Sequence, residues 1–411
     1  MLQWAHLEVF GPSRRDSALV FILLFNAFTW GYITITFIES LSINPGMKTA
    51  FNGVFYIAAS GSVLSGALMS EKIRRLRFLY FWMTTGFICS SLLMLINHIA
   101  LAHLSAIFIL LGVSYGFGLP SSLAYFADNS TVENRAFFSS VILLGANLGA
   151  LPLAVLFPMF DPVVNAVVLT VWRGLGLVCF ILIKPKRRDC LEEEKAVSFA
   201  SVLQDRSFYL YLLPWIMFLL IDATEKSLLS NVVSLDIQRS MGMIEPLVAV
   251  FFIIVGGLFA DRIGRKRMSI YGFVALGIGY AFVGLAPMDR IAWYFYIVMD
   301  GAAWGILLTI FLMTLWGDLS RPGAKEKYYA VGNFPFLARS AISLAVTTAI
   351  ASVPATAAFS LASFFLFLAV LPLMYAPETL PQKKIELRRL KRYVEQAKKL
   401  AGNGQKKDSE D

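Results

Sequence analysis

The chain has 411 residues, of which 57% are hydrophobic and only 15% charged, with a mean hydropathy of +0.67. Soluble domains carry about 25% charged residues, so this balance argues against a disordered or collagen-like chain, and against a soluble enzyme that would have to expose a mostly apolar surface. Cys89, Cys179 and Cys190 are too scattered for a disulfide framework or a thiolate site, and His6, His98 and His103 lack ligand spacing. No catalytic metal or cofactor is expected.

A bilayer core about 30 Å thick takes about 20 apolar residues in a helix. Twelve such runs are present, at 17–41, 48–70, 77–97, 100–127, 134–158, 163–183, 207–230, 243–261, 268–286, 290–315, 328–352 and 356–376. They are too long and too evenly apolar for barrel strands, which predicts an all-α integral membrane protein of twelve transmembrane helices. With the N-terminus placed in the cytoplasm, 30 of the 36 Lys and Arg fall on that side and four (Lys48, Lys226, Arg239, Arg290) on the other. The bias predicts that both termini are cytoplasmic, in a multi-pass protein of the cell membrane.

The longest interior polar stretch, KPKRRDCLEEEKAVSFASVLQDR, predicts a cytoplasmic linker at 184–206. It separates six-helix blocks at 1–183 and 207–376, and a basic tail follows at 377–411. The blocks echo each other at an offset of 190: GALMSEKIRRLR after span two aligns with GGLFADRIGRKR after span eight. Glu71, Arg75 and Asp128 map onto Asp261, Arg265 and Asp318. Gly257-Leu-Phe-Ala-Asp261-Arg262-Ile-Gly264-Arg265-Lys266 resembles the loop signature of the major facilitator superfamily. The first-half copy is degenerate, with Ala67, Glu71 and Arg74 at signature positions. Asp128 with Arg135 resembles the element after the fourth helix in the sugar and metabolite porter branch, and Asp318 with Lys325 repeats its spacing. Pro377-Glu378-Thr379 is similar to that branch's closing motif. The resemblance implies two pseudo-symmetric six-helix bundles working by alternating access, in which spans one, four, seven and ten line a central cavity while five and eleven flank it.

In chain order, span one offers Asn26, Thr29 and Tyr32 as pocket candidates; the competing reading is interhelical hydrogen bonding. Ile33 stands where the resemblance implies a membrane-embedded Asp. Glu71 and Arg75, then Asp128 and Arg135, read as gating residues: a carboxylate beside a guanidinium at a helix end makes a charge-assisted latch. Anchoring the loops is the alternative role. Gly112 and Gly116 in span four, and Gly145 and Gly149 in span five, allow close helix packing, with Asn147 a cavity candidate between the latter pair. Span five lacks the antiporter G-P-x-x-G-G element, and Arg173 in span six reads as packing or snorkelling.

Span seven carries Asp222 and lacks the Gln pair implied for hexose binding, while Glu225 and Lys226 are expected near the outer surface. Asp261, Arg262, Gly264 and Arg265 form the second gating loop, with Asp318 and Lys325 after span ten. Asp300 and Trp304 in span ten and Arg339 in span eleven complete a charged group with Asp222. Charges at bilayer depth cost at least ~2.5 kcal/mol and mark function by default. One Asp is expected to carry a coupling proton, with substrate occupancy toggling its protonation. A local Asp222–Lys226 pair and an Asp300–Arg339 pair are the structural alternatives.

The reading is therefore a secondary transporter for a small metabolite, an ionisable one suiting the charged group better than a sugar, coupled to an ion, with H+ favoured over Na+. It is embedded in the lipid bilayer, monomeric, and without a nucleic-acid partner. The alternatives are an efflux antiporter for organic compounds or a non-transporting receptor on the same scaffold. No nucleophile–base spacing supports an enzyme, and no G-x-x-x-x-G-K-[ST] supports ATP-driven transport. The tail QKKIELRRLKRYVEQAKKL reads as a basic amphipathic helix on the membrane surface.

Overall fold

The computed structural model describes residues 14–184, 197–350 and 354–380. Most of the expected linker, and the tail after Leu380, lie outside them. Twelve long helices run through the described residues. In the first half they are α1 (Arg14–Ser40), α2 (Pro45–Lys72), α3 (Arg75–Leu92), α4 (Leu101–Asp128), α5 (Arg135–Leu156) and α6 (Pro162–Ile183). In the second half they are α7 (Arg206–Val232), α8 (Leu235–Ile263), α9 (Arg265–Leu285), α10 (Arg290–Leu308), α11 (Lys325–Ile350) and α12 (Ala355–Tyr375). A short helix, Phe199–Leu203, precedes α7, and α10 continues through a π-helical turn, Thr309–Thr314, into Leu315–Leu319. Among the described residues, eleven of the twelve are long and apolar enough to cross a membrane. The exception is α11, which carries Asn333, Pro335 and Arg339 in its middle.

The helices begin where the chain supplies a cap. Asn44, Asp161, Asp205 and Asp289 each accept a backbone N–H from the first turn of α2, α6, α7 and α10, filling orphan donors that lipid would leave bare. Close approach is carried by glycine. A Cβ at Gly112 or Gly116 of α4 would run into the carbonyls of Phe55 and Ala59 on α2, and one at Gly301 or Gly305 of α10 into those of Glu245 and Ala249 on α8.

Two six-helix bundles result, and they meet along two seams. In one, α2 packs on α11; in the other, α5 packs on α8 and on the π turn of α10. The Ser139 hydroxyl of α5 donates to the Thr309 carbonyl across the second seam at 3.2 Å.

Candidate functional site

The two bundles are locked at the end where α2, α4, α8 and α10 finish and α3, α5, α9 and α11 begin. Asp128 pairs with Lys325, and Asp318 with Arg135, so each acid takes the cation of the other half. The offset of 190 maps one pair onto the other. Each acid also binds an arginine of its own half: Arg75 pairs with Asp128, and Arg265 with Asp318 at 3.0 Å. Arg75 reaches further across the seam to Glu326 at 2.5 Å, and Lys327 to Glu71 at 2.5 Å. Asp261 binds Arg265 at 2.8 Å and accepts the backbone N–H groups of Ala136 and Phe137 at 3.2 and 2.7 Å. It thereby caps the start of α5 across the seam, where the helix dipole favours an anion. Gly264 turns the chain from α8 into α9 at φ 113°, ψ 150°, a region open essentially to glycine alone. Arg262 is exposed and joins no ion pair among the described residues.

The chain beyond α12 closes over one of these clusters. Glu378 accepts the N–H groups of Arg265 and Lys266 at 2.9 and 3.2 Å, and Thr379 donates to Asp318 at 3.2 Å. Tyr211 pins the segment by donating to the Pro377 carbonyl at 2.8 Å.

A cavity of about 600 Å³ lies between the bundles, walled by α1, α2, α4 and α5 on one side and α10 and α11 on the other. Its lining reaches Thr36 and the exposed Glu39 near the last turn of α1, toward the end opposite the ion pairs. The walls carry Phe28, Tyr32, Phe55, Tyr56, Tyr115 and Phe336, with Asn147 and Arg339 among them. Among the described residues none of α7 lines it, in contrast to the expected arrangement, whereas Phe55 and Tyr56 of α2 do.

Of the predicted pocket residues, Tyr32, Asn147 and Arg339 line this cavity. Asn26 and Thr29 turn away from it: Thr29 donates to the Ala146 carbonyl at 3.3 Å, and Asn26 accepts from Arg173 at 2.9 Å. Arg339 is bound to Asp222 through Nη1 at 3.0 Å and lies over the rings of Trp304 and Phe336, 5.0 and 5.2 Å from their centroids. The expected single cavity for Asp222, Asp300 and Arg339 is thus corrected: Arg339 lines it, Asp222 pairs with Arg339 without being among the described lining residues, and Asp300 is buried. The Lys226 side chain falls outside the described set.

Among the described residues, Asp300 pairs with neither Arg339 nor any other cation. It shares a hydrogen bond with Glu245 of α8, brought close by the glycine contact at Gly301. Glu225, expected near the outer surface, is instead buried, accepting the hydroxyls of Tyr280 and Tyr296 at 3.1 and 2.5 Å. Neither Glu245 nor the two tyrosines was among the candidates. Glu245 was the findable one, an acid inside the span at 243–261. Arg173 neither snorkels nor faces lipid. It is fully buried between the rings of Trp30 and Trp82, 4.6 and 4.4 Å from their centroids.

No family model and no curated protein matches the chain. Solved structures do match. The human organic anion transporter MFSD10 is similar at 16% identity and a TM-score of 0.67, over 89% of this chain and 100% of that one. The proton:xylose symporter XylE is similar at 13% identity and a TM-score of 0.64, over 90% and 97%. The E. coli fucose:proton symporter FucP is similar at 10% identity and a TM-score of 0.69, over 88% and 98%. The chain therefore has the major facilitator fold, that of a multi-pass membrane protein.

Proposed function

We propose that this protein is a secondary active transporter that moves a small, ionisable organic solute by alternating access, in symport with protons. The observation that carries the reading is one solvent-reached cavity between two bundles, sealed at the far end by reciprocal ion pairs. Rocking the bundles about the α2–α11 and α5–α8 seams would exchange the open and sealed ends. On this reading Glu71, Arg75, Asp128, Arg135, Asp261, Arg265, Asp318 and Lys325 are gate residues, and Gly264 sets the turn between two of them. The halves are residues 1–183 and 207–376, with 184–206 as the linker. The positive bias of the loops supports a cytoplasmic ion-paired end, which on this reading leaves the cavity facing outward, in a monomer of the cell membrane with both termini inside.

Proton coupling draws support from two features. Two carboxyls in hydrogen-bond contact, as at Asp300 and Glu245, hold a proton between them. Asp222 sits where a solute reaching Arg339 would disturb the ion pair between them. Two of the structurally similar proteins are named as proton symporters, which agrees with this assignment.

The test is reconstitution in liposomes with an inward proton gradient, a mixed metabolite pool outside, and mass spectrometry of the lumen. The expected result is gradient-dependent accumulation of one solute class. Asp222→Asn and Asp300→Asn should each lose accumulation while keeping exchange of unlabelled for labelled solute. Accumulation that persists in both variants removes the coupling assignment, and binding without any flux removes the transport reading.

A further inference from the structure

We propose that the solute carries a carboxylate on a flat, aromatic body and docks it on the free edge of the Arg339 guanidinium. The inference deepens the transport reading and rests on it. A guanidinium has five N–H donors in a planar fork. Arg339 gives Asp222 a single bond through Nη1, at 3.0 Å. Its side chain keeps 27% of its surface exposed, and it lines the cavity. The remaining donors are thus presented to whatever enters. The faces of the fork rest on Trp304 and Phe336, which pins its plane and leaves only its edge to a ligand. A pinned planar fork suits the two oxygens of a carboxylate.

The cavity discriminates against an amine by the same geometry. Among the described lining residues, Arg339 is the sole cation, and the sole acid is Glu39 near the end of α1, where Asn52 donates to it at 2.5 Å. Asp300 and Glu225 are buried and Asp222 is already paired with the guanidinium, so an ammonium at the depth of Arg339 would meet a positive charge whose partner acid is taken. The aromatic faces beside it, Trp304 and Phe336, already hold the arginine. Phe28, Phe55, Tyr56 and Tyr115 then offer apolar walls to a flat body. A volume of about 600 Å³ falls in the range of small-molecule sites, roughly 300–1,000 Å³.

Asp222 is an internal competitor for the carboxylate, and this makes the proposal sharply testable. The full-length protein in detergent is titrated with benzoate, benzamide and benzylamine, reading the melting temperature and heat of binding. Benzoate is expected to bind and stabilise, while the neutral amide and the amine do not. Arg339→Gln should abolish the benzoate effect, and Arg339→Lys, which keeps charge but loses the fork, should weaken it about tenfold, or ~1.4 kcal/mol. Asp222→Asn should tighten benzoate by a similar factor, a gain that no misfolded variant would produce. Equal binding of benzamide or benzylamine, no benzoate binding, or weaker benzoate binding by Asp222→Asn would each overturn the assignment. Benzoate that binds but never enters liposomes leaves this site standing and removes the transport reading. Flux of a neutral or cationic solute without benzoate binding does the reverse.

Discussion

The clusters around Asp128 and Asp318 are built from matching residues at matching spacing, and each acid bridges an arginine of its own half and a cation of the other. They differ in burial. The side chains of Arg75 and Asp128 are each 28% exposed, whereas those of Arg265 and Asp318 are 0%. The cause lies outside the repeat: Pro377, Glu378 and Thr379 cover the second cluster. The same ion pair therefore works in two dielectric settings. A buried pair that loses one partner strands a charge, which costs about 3–5 kcal/mol, while a partly exposed pair is worth about 0–1 kcal/mol. One cluster is the structural keystone of the closed end, and the other is a weak, adjustable clasp.

The largest break in that contrast is Asp318→Asn, which leaves both Arg135 and Arg265 without their shared acid in a dry site. A loss of about 3–5 kcal/mol is expected, read as a lower melting temperature. It should also speed maleimide labelling of Ser139→Cys, which is buried at the seam, in a background where Cys89, Cys179 and Cys190 are replaced. Unchanged melting and labelling would show that the covered cluster holds nothing.

Gly264→Ala comes next. The backbone there is one that L residues rarely adopt, worth about 1–3 kcal/mol of strain, and the new Cβ would run into the Glu378 carboxylate. Loss of melting temperature, together with proteolytic release of the segment after α12, is expected. Tolerance without either change would mean that the Glu378 cap is dispensable.

Asp128→Asn should have the smallest effect, about 1 kcal/mol or less, because water reaches both partners. Salt sharpens the comparison: screening over roughly 10 Å at 0.1 M should shrink the Asp128 effect in concentrated salt and leave that of Asp318 in place. If both respond alike, burial does not separate the two clusters.

Much of this end was legible beforehand. The repeat at 190 named Asp128, Arg135, Asp318 and Lys325 as a set, because loop charges at helix ends stand out against apolar runs. Their cross-pairing was not legible. Spacing alone joins Asp128 to Arg135, seven residues on, while the bundles' apposition joins it to Lys325, 197 residues away. The membrane-depth charges were legible as residues and not as partners. Asp300 turned to Glu245 rather than Arg339 because glycine contacts between α8 and α10 set how those helices face each other, and Glu225 went inward to two tyrosines. A nearly uniform apolar helix shows little of its facing in periodicity, since lipid and protein neighbours are both apolar.

From composition and pattern alone followed the number of spans, the duplication, the identity of the loop charges and the positive bias of one face. These follow from free energies that each segment settles by itself: transfer of about 20 apolar residues into hydrocarbon, and the cost of moving a charge there. The reciprocal pairing, the cover over Asp318, and the way Arg339 faces open space while Arg173 is sealed between two tryptophans were decided only in three dimensions. Each depends on which helices meet and how far each has turned, and those are properties of pairs of segments distant in the chain.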